Sequence, residues 1–324
     1  MRWRARAEPP THDRIGGSLA RLEVDAPGKG EQMRIAELYK RGEPVFSFEF
    51  FPPRTEKGVR DLFSTLDELR RLEPDFVSVT YPLDRSRRHL TLEIVSRIRS
   101  EIGIEAMAHL TCVDASREEI REVLERLEAE GIENVLALRG DPPSEEEAVI
   151  RREKWFPHAS DLARYVREHF SFCIGGAAHP EKHPEAPDFE TDLENLRRKV
   201  QAGCEFLITQ LFFTNDDYFK LVDRAREIGI DVPIVPGIMP ITSVPGIKRM
   251  AQINGSSLPA DFLAELERIQ DDARAVEALG VAYARTQCQE LLEKEVPGIH
   301  FYTLNRSPAT RKVLSYLRAD SRTQ

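Results

Sequence analysis

Eight short apolar runs, separated by stretches whose apolar residues recur at helical spacing, constrain this chain more than any other feature. The first is V-F-S-F-E-F-F-P-P (Val45–Pro53), where the proline pair stops a nearly continuous apolar run. The others are D-F-V-S-V-T-Y (75–81), E-A-M-A-H-L-T (105–111), N-V-L-A-L-R (134–139) and F-S-F-C-I-G-G-A-A (170–178). Then come F-L-I-T-Q-L-F (206–212), P-I-V-P-G-I (233–238) and G-I-H-F-Y-T (298–303). Helical patterns fill 55–72, 91–102, 116–130, 160–169, 188–202 and 216–228, then resume from 247, at 271–295 and at 309–317. Runs this short and this apolar read as strands buried on both faces of a parallel sheet. Their alternation with helices predicts an α/β fold, and eight units predict a closed (β/α)8 TIM barrel. A single domain with extra C-terminal helices is expected. A doubly wound sheet has no support, because no G-x-G-x-x-G follows any run.

Ser116-x-x-Glu119 is a capping box opening the helix that Gly131 ends. Residues 1–32 break the pattern. They hold Pro9-Pro10, Gly16-Gly17 and Gly28-x-Gly30 with little periodicity, and are expected to be a disordered N-terminal leader ahead of a barrel spanning 33–320. Glu8, Asp13 and Glu23 interrupt the arginines Arg2, Arg4 and Arg6, which argues against a transit peptide, and Met33 is an alternative start. The net charge of −9 gives no reason to expect nucleic acid or an anionic membrane as partner. No apolar run reaches membrane-spanning length. Cys112, Cys173, Cys204 and Cys288 form no Cys-x-x-Cys pair, as in a reduced, cytoplasmic protein.

In such a barrel chemistry is confined to the C-terminal ends of the strands. There the runs carry Glu49, Thr80, His109 and Thr111, Arg139-Gly140-Asp141, His179, Gln210 and Asn305-Arg306. So many polar residues on one face predict a lined site. Glu49 is the least expected, a carboxyl group within a phenylalanine-rich run. Either it pairs with a cation or faces outward, or burial favours its neutral form, the state a general acid needs near neutral pH. His179 and His183 are four residues apart, but Pro180 and Pro184 forbid the helix that would set both on one face, so no metal is expected. Asn195, Arg198 and Lys199 share a helix face, either a solvated basic surface or a clamp for an anionic group.

Together these motifs resemble one family closely, the methylenetetrahydrofolate reductases. The matching pieces are F-S-F-E-F-F-P-P (46–53), F-V-S-V-T-Y (76–81), H-L-T-C (109–112), A-L-R-G-D-P-P (137–143) and H-P-E-A (183–186). They continue with D-L-x-N-L-x-R-K-V-x-A-G (192–203), I-T-Q-L-F-F (208–213), P-G-I-M-P (236–240) and H-F-Y-T-L-N-R (300–306). The resemblance implies an FAD-containing barrel that reduces 5,10-methylenetetrahydrofolate to 5-methyltetrahydrofolate with NADH or NADPH in a ping-pong cycle, feeding methionine synthesis. By the same resemblance Glu49 is the catalytic acid, Asp141 the carboxylate beside the flavin pyrimidine edge, Gln210 the amide contacting the pterin, and Arg306 a basic residue near the folate. Thr80, His109, Arg139, Gly140, Asp141, Ala177, His179, His183, Asp192, Asn195, Arg198 and Lys199 match FAD-contacting positions, and a homo-oligomer is implied. The chain departs from the family at P-L-D-R-S-R-R (82–88), usually a glycine-rich loop, at His179, usually tyrosine, and at Met250, often aromatic. It ends soon after the eighth unit, so no C-terminal regulatory domain is expected. The competing reading is an inactive or flavin-free homologue acting as a folate-binding or partner subunit. An aldolase is disfavoured by the absence of a strand lysine for a Schiff base.

Overall fold

The computed structural model describes residues 33–320 apart from 83, 114, 141–155 and 307. The expected leader, 1–32, and Asp141 lie outside the described residues. Nine parallel strand segments form one sheet among the described residues: β1 (Val45–Phe50), β2 (Phe76–Val79), β3 (Glu105–Thr111), β4 (Asn134–Leu138), β5 (Cys173–Ala178), β6 (Phe206–Thr209), β7 (Ile234–Val235), β8 (Gly237–Ile238) and β9 (Gly298–Tyr302). Their order is β7-β6-β5-β4-β3-β2-β1-β9-β8. The two edges are therefore neighbours in sequence, split only by Pro236. Proline has no N–H to give the ladder, so the strand is interrupted there into two segments. The Pro236 carbonyl still accepts from His300 N at 2.9 Å, and β7 pairs β6 while β8 pairs β9. The ring closes into the expected TIM barrel.

Several boundaries differ from the sequence expectation. Phe170 ends helix Ala159–His169, giving its N–H to Val166 O, so β5 starts at Cys173. The helix expected at 91–102 is Arg88–Arg97 followed by a π turn, Ile98–Ile102, that stops at left-handed Gly103. Helix Val244–Asn254 starts three residues before the apolar pattern, capped by Ser243 and opened by Pro245 near its first turn. The Ser116–Glu119 capping box forms as expected.

Side chains alternate across each strand, and that alternation separates two cores. Phe48, Phe50, Val77, Val79, Val135 and Ile174 face outward onto helices such as Glu56–Arg70, which buries Leu62, Leu66 and Leu69. Val45, Phe76, Met107, Leu136, Cys173, Phe206 and Val235 fill the lumen. Burying each large apolar side chain stabilises the barrel by about 1.5–3 kcal/mol. Ile35 and Leu38 of the short helix Ile35–Leu38 plug the end where the strands begin. Asn134 fastens this plug, accepting from Ile35 N at 2.8 Å and donating to Met33 O at 2.9 Å. With that end sealed, the mouth at the strands' C-terminal ends is the accessible one. The extra helices Val244–Asn254, Ala260–Arg268 and Ala273–Glu293 form a satellite core with Leu211, Phe213, Met239 and Ile241.

Candidate active site

On β1 the odd residues Val45, Ser47 and Glu49 face the lumen, while Phe48 and Phe50 lie on the opposite face among the helices. The phenylalanines of the run therefore do not surround Glu49, contrary to the reading from the run alone. Its neighbours come from the adjoining strands. Oε2 of Glu49 lies 3.5 Å from His109 Nε2 on β3 and 3.6 Å from His300 Nε2 on β9. Neither ring nitrogen has a hydrogen-bond partner among the described residues. Burial above all pushes His109 down to about 4, with Glu49 opposing and His300 adding, so its imidazole is neutral near pH 7. Ser78, the register partner of Glu49 on β2, is also fully buried with an unpartnered hydroxyl. Tyr302 pairs with Glu49 across β1 and β9, and its hydroxyl donates to Thr209 O at 2.6 Å. Burial, then the charge of Glu49, holds that phenol well above its ordinary range.

The segment after β9 braces the same place. Thr303 Oγ1 donates to Glu49 O at 2.6 Å, and Asn305 both accepts from Phe51 N at 2.9 Å and donates to Phe51 O at 2.7 Å. Leu304 and Asn305 adopt φ of 51° and 57°, a left-handed pair that costs a leucine more than an asparagine. Arg306 follows, exposed, its N–H closing the turn onto Thr303 O.

A second group gathers around the ends of β4 and β5. Arg139 forks onto Glu185 at 2.5 and 2.6 Å, holding that carboxyl below its usual range. Gly140 stands at φ +82°, where an added Cβ would sit 2.9 Å from Thr111. Asp192 accepts from His183 N at 2.9 Å, and Lys199 Nζ donates to Ala177 O at 2.7 Å. Burial pushes Lys199 down from its ordinary value and His179 down to about 3. The prolines do prevent a helix here, yet the loop still brings His179 and His183 together, rings edge to face at 4.7 Å. His183 Nδ1 accepts from Glu185 N at 3.1 Å. Asn195 and Arg198 lie further out on helix Phe189–Ala202, joined at 3.3 Å, with Arg198 also facing Glu194.

Thr80 and Gln210 adjoin these groups, Gln210 giving its N–H to Ala178 O at 2.7 Å. Thr80 follows β2, its N–H on Phe50 O, and Gln210 follows β6 with its Oε1 accepting from Leu211 N. Within the altered segment, Arg85–Arg87 form a 3₁₀ turn capped by Asp84. Arg85 pairs with Glu119, and Arg87 donates to Pro52 O at 2.7 Å. Met250 packs half-buried against the satellite core.

The donor set around β5 suits a cofactor with anionic phosphates and hydrogen-bonding edges. It offers a buried ammonium, a guanidinium at the strand end, and a buried His179 Nδ1 with no partner among the described residues.

A family model described as methylenetetrahydrofolate reductase matches residues 34–318. The chain belongs to the methylenetetrahydrofolate reductase family. It is 39% identical over 274 residues to 5,10-methylenetetrahydrofolate reductase of Escherichia coli K12, covering 84% of this chain and 90% of that one. It is 41% identical over 283 residues to methylenetetrahydrofolate reductase (NADH) 1 of Arabidopsis thaliana, covering 84% of this chain and 48% of that protein. The chain thus spans about half the length of the plant relatives it matches. A solved structure titled as an uncharacterized protein from Clostridium thermocellum that binds two copies of 5-methyl-5,6,7,8-tetrahydrofolic acid shares the fold. Its TM-score is 0.57 at 16% identity, covering 89% of this chain and 98% of that one.

Within this reductase-family barrel, sequence reasoning did not single out Ser47, His300 or Tyr302. The available signal was periodicity. Ser47-x-Glu49 and His300-x-Tyr302 sit at the same spacing on the first and last strands, which ring closure makes neighbours. Among the described residues of this reductase-family chain, no helix is long and apolar enough to cross a membrane.

Proposed function

We propose that this chain is an FAD-dependent reductase converting 5,10-methylenetetrahydrofolate to 5-methyltetrahydrofolate, with NADH or NADPH as donor in a ping-pong cycle. The observation that carries this reading is Glu49, a lumen carboxyl group at the open mouth whose Oε2 faces two imidazole edges. FAD, when bound, supplies the hydride chemistry. The substrate's methylene carbon bridges N5 and N10 and becomes a good hydride acceptor only once the five-membered ring opens to an iminium ion. Opening requires a proton at N10, and Glu49 delivers it. Asp141, immediately after Gly140 in sequence, favours the resulting cation.

The other residues bind and orient. Lys199, Arg139, Arg198, Asn195, Asp192, Thr80, His109 and the 177–183 segment hold FAD. Gln210 contacts the pterin and Arg306 places positive charge beside the folate. The chain works as a cytoplasmic homo-oligomer supplying methyl groups for methionine.

The Asp84-capped turn Arg85–Arg87, where a glycine-rich loop is usual, favours one competing reading, a flavin-free folate-binding subunit. A visible absorption spectrum and anaerobic mixing separate the two. The reductase takes up FAD, is bleached by NADH or NADPH, and is reoxidised by methylenetetrahydrofolate. A colourless protein that binds folate but no added FAD sinks the proposal.

A further inference from the structure

His300 is fully buried in the lumen, yet its Nε2 has no hydrogen-bond partner among the described residues. Leaving a buried polar atom unpaired is destabilising, a cost that an apolar ring at this position would avoid. Nor is the imidazole loose. Its Nδ1 lies 2.7 Å from Ser47 Oγ, Phe76 stacks on it at 6.2 Å and 22°, and Tyr302 meets it edge to face at 5.4 Å. Its main-chain N–H is tied to Pro236 O at 2.9 Å. With one edge fixed on Ser47, the other is aimed at Glu49, Nε2 standing 3.6 Å from Oε2.

We propose that His300 is a positioning residue for the acid: Ser47 sets its tautomer, and its Nε2–H holds Oε2 of Glu49 so that Oε1 is presented to the substrate. This rests on the reading of Glu49 as the proton donor. The tautomer follows from lone pairs and charge. Were the proton on Nδ1, the bare Nε2 would face the carboxylate oxygens across a low-dielectric lumen, a repulsive contact. With the Ser47 hydroxyl donating to Nδ1, the proton sits on Nε2 and points at Oε2. His109 brackets the same oxygen from β3 at 3.5 Å. Both ring edges converge on Oε2. In the transfer, the O–H bond at Oε1 breaks and the N–H bond at the folate N10 forms. The carboxylate left behind keeps its place through Nε2–H and regains a proton from solvent, since the Glu49 side chain is 20% exposed.

Two substitutions separate positioning from packing. His300→Asn keeps a polar group within reach of Ser47 but falls short of Glu49, whereas His300→Gln returns an amide N–H near the former Nε2. With FAD bound, anaerobic stopped-flow follows reduction by NADH or NADPH and reoxidation by methylenetetrahydrofolate separately. His300→Asn is expected to slow reoxidation about 30-fold and His300→Gln to restore it to within about fivefold of the parent, with reduction held within about threefold in both. Unchanged reoxidation in His300→Asn, equal losses in both variants, or an equal loss in both half-reactions overturns the proposal. Glu49→Gln is run in parallel. If it reoxidises normally, the reading of Glu49 as the acid fails. If it collapses while His300→Asn does not, only the positioning role fails. Nitrogen NMR of the histidine-labelled holoenzyme tests the tautomer without any variant: a proton on Nε2 is expected, and one on Nδ1 overturns the assignment.

Discussion

Thr303 donates its Oγ1 hydrogen to the main-chain carbonyl of Glu49 across 2.6 Å. The segment leaving the last strand thus clamps the first strand at the residue that projects the candidate acid. Thr303 is itself buried, so the bond forms away from competing water. Thr303→Val preserves shape and removes the donor. A loss of about 1 kcal/mol in urea unfolding is expected, together with slower flavin reoxidation by folate. Stability and rate both unchanged would show that the clamp does nothing.

Gly237 makes a close approach on the other side of β9. A Cβ there would sit 2.3 Å from Thr209 O and 2.6 Å from the Tyr302 ring. The oxygen is main chain and cannot swing aside, and the ring is held by its own bond to Thr209 O. Gly237→Ala should cost about 1–3 kcal/mol or more and broaden the signals of Tyr302. An alanine variant with parental unfolding behaviour would mean that the strand around Pro236 shifts freely.

Much of the barrel was legible because each apolar run had to be a strand and each intervening stretch a helix. The site was legible only in outline. The run around Glu49 suggested a carboxyl surrounded by phenylalanines, but strand alternation sends Phe48 and Phe50 to the helices. What surrounds Glu49 comes from strands distant in sequence, through His109, His300 and Tyr302, and a linear reading does not display such pairings. The interruption at Pro236 was visible as a proline, yet its effect depends on which neighbour needs the missing N–H. The His179–His183 approach was hidden for a related reason, since a loop and not a helix brings the rings together.

Lys199 and Arg198 are adjacent in sequence but differ in surroundings, so their substitutions should differ. Lys199 is buried with its ammonium on Ala177 O, while the Arg198 side chain is 62% exposed beside Glu194. If both hold FAD, Lys199→Met should weaken cofactor affinity roughly tenfold or more, and Arg198→Ala by only a few-fold, because exposed charges are screened. Titration of the apo-protein with FAD, followed by flavin fluorescence, reads both. Equal affinities across parent and variants would remove this helix from the cofactor site.

Glu105 gives the pH dependence of stability a component that can be isolated. It opens β3 at the plugged end of the barrel, its Oε1 accepting from Asn134 Nδ2 at 2.8 Å. Burial, opposed by Arg99 and by its hydrogen bonds, pushes its carboxyl from 4.5 up to about 7. A carboxyl raised by folding binds its proton more tightly in the folded chain. Its stabilising contribution is therefore complete below about pH 4.5 and is lost as pH rises through about 7. At about 1.4 kcal/mol per pKa unit, the full loss is on the order of 3.5 kcal/mol, of which about 2.5 kcal/mol falls between pH 5 and 8. His109 and His179, lowered to about 4 and about 3, act in the opposite sense: their contribution is complete above about pH 6.5 and falls as pH drops. Those contributions are common to the parent and to Glu105→Gln, which keeps an acceptor for Asn134. Urea unfolding of both proteins at pH 5, 6, 7 and 8 should show the difference between them growing with pH, the glutamine variant gaining about 2 kcal/mol relative to the parent by pH 8. A difference that stays flat across that range would mean that Glu105 titrates alike in the folded and unfolded chains, and that its burial beside the plug carries no electrostatic cost.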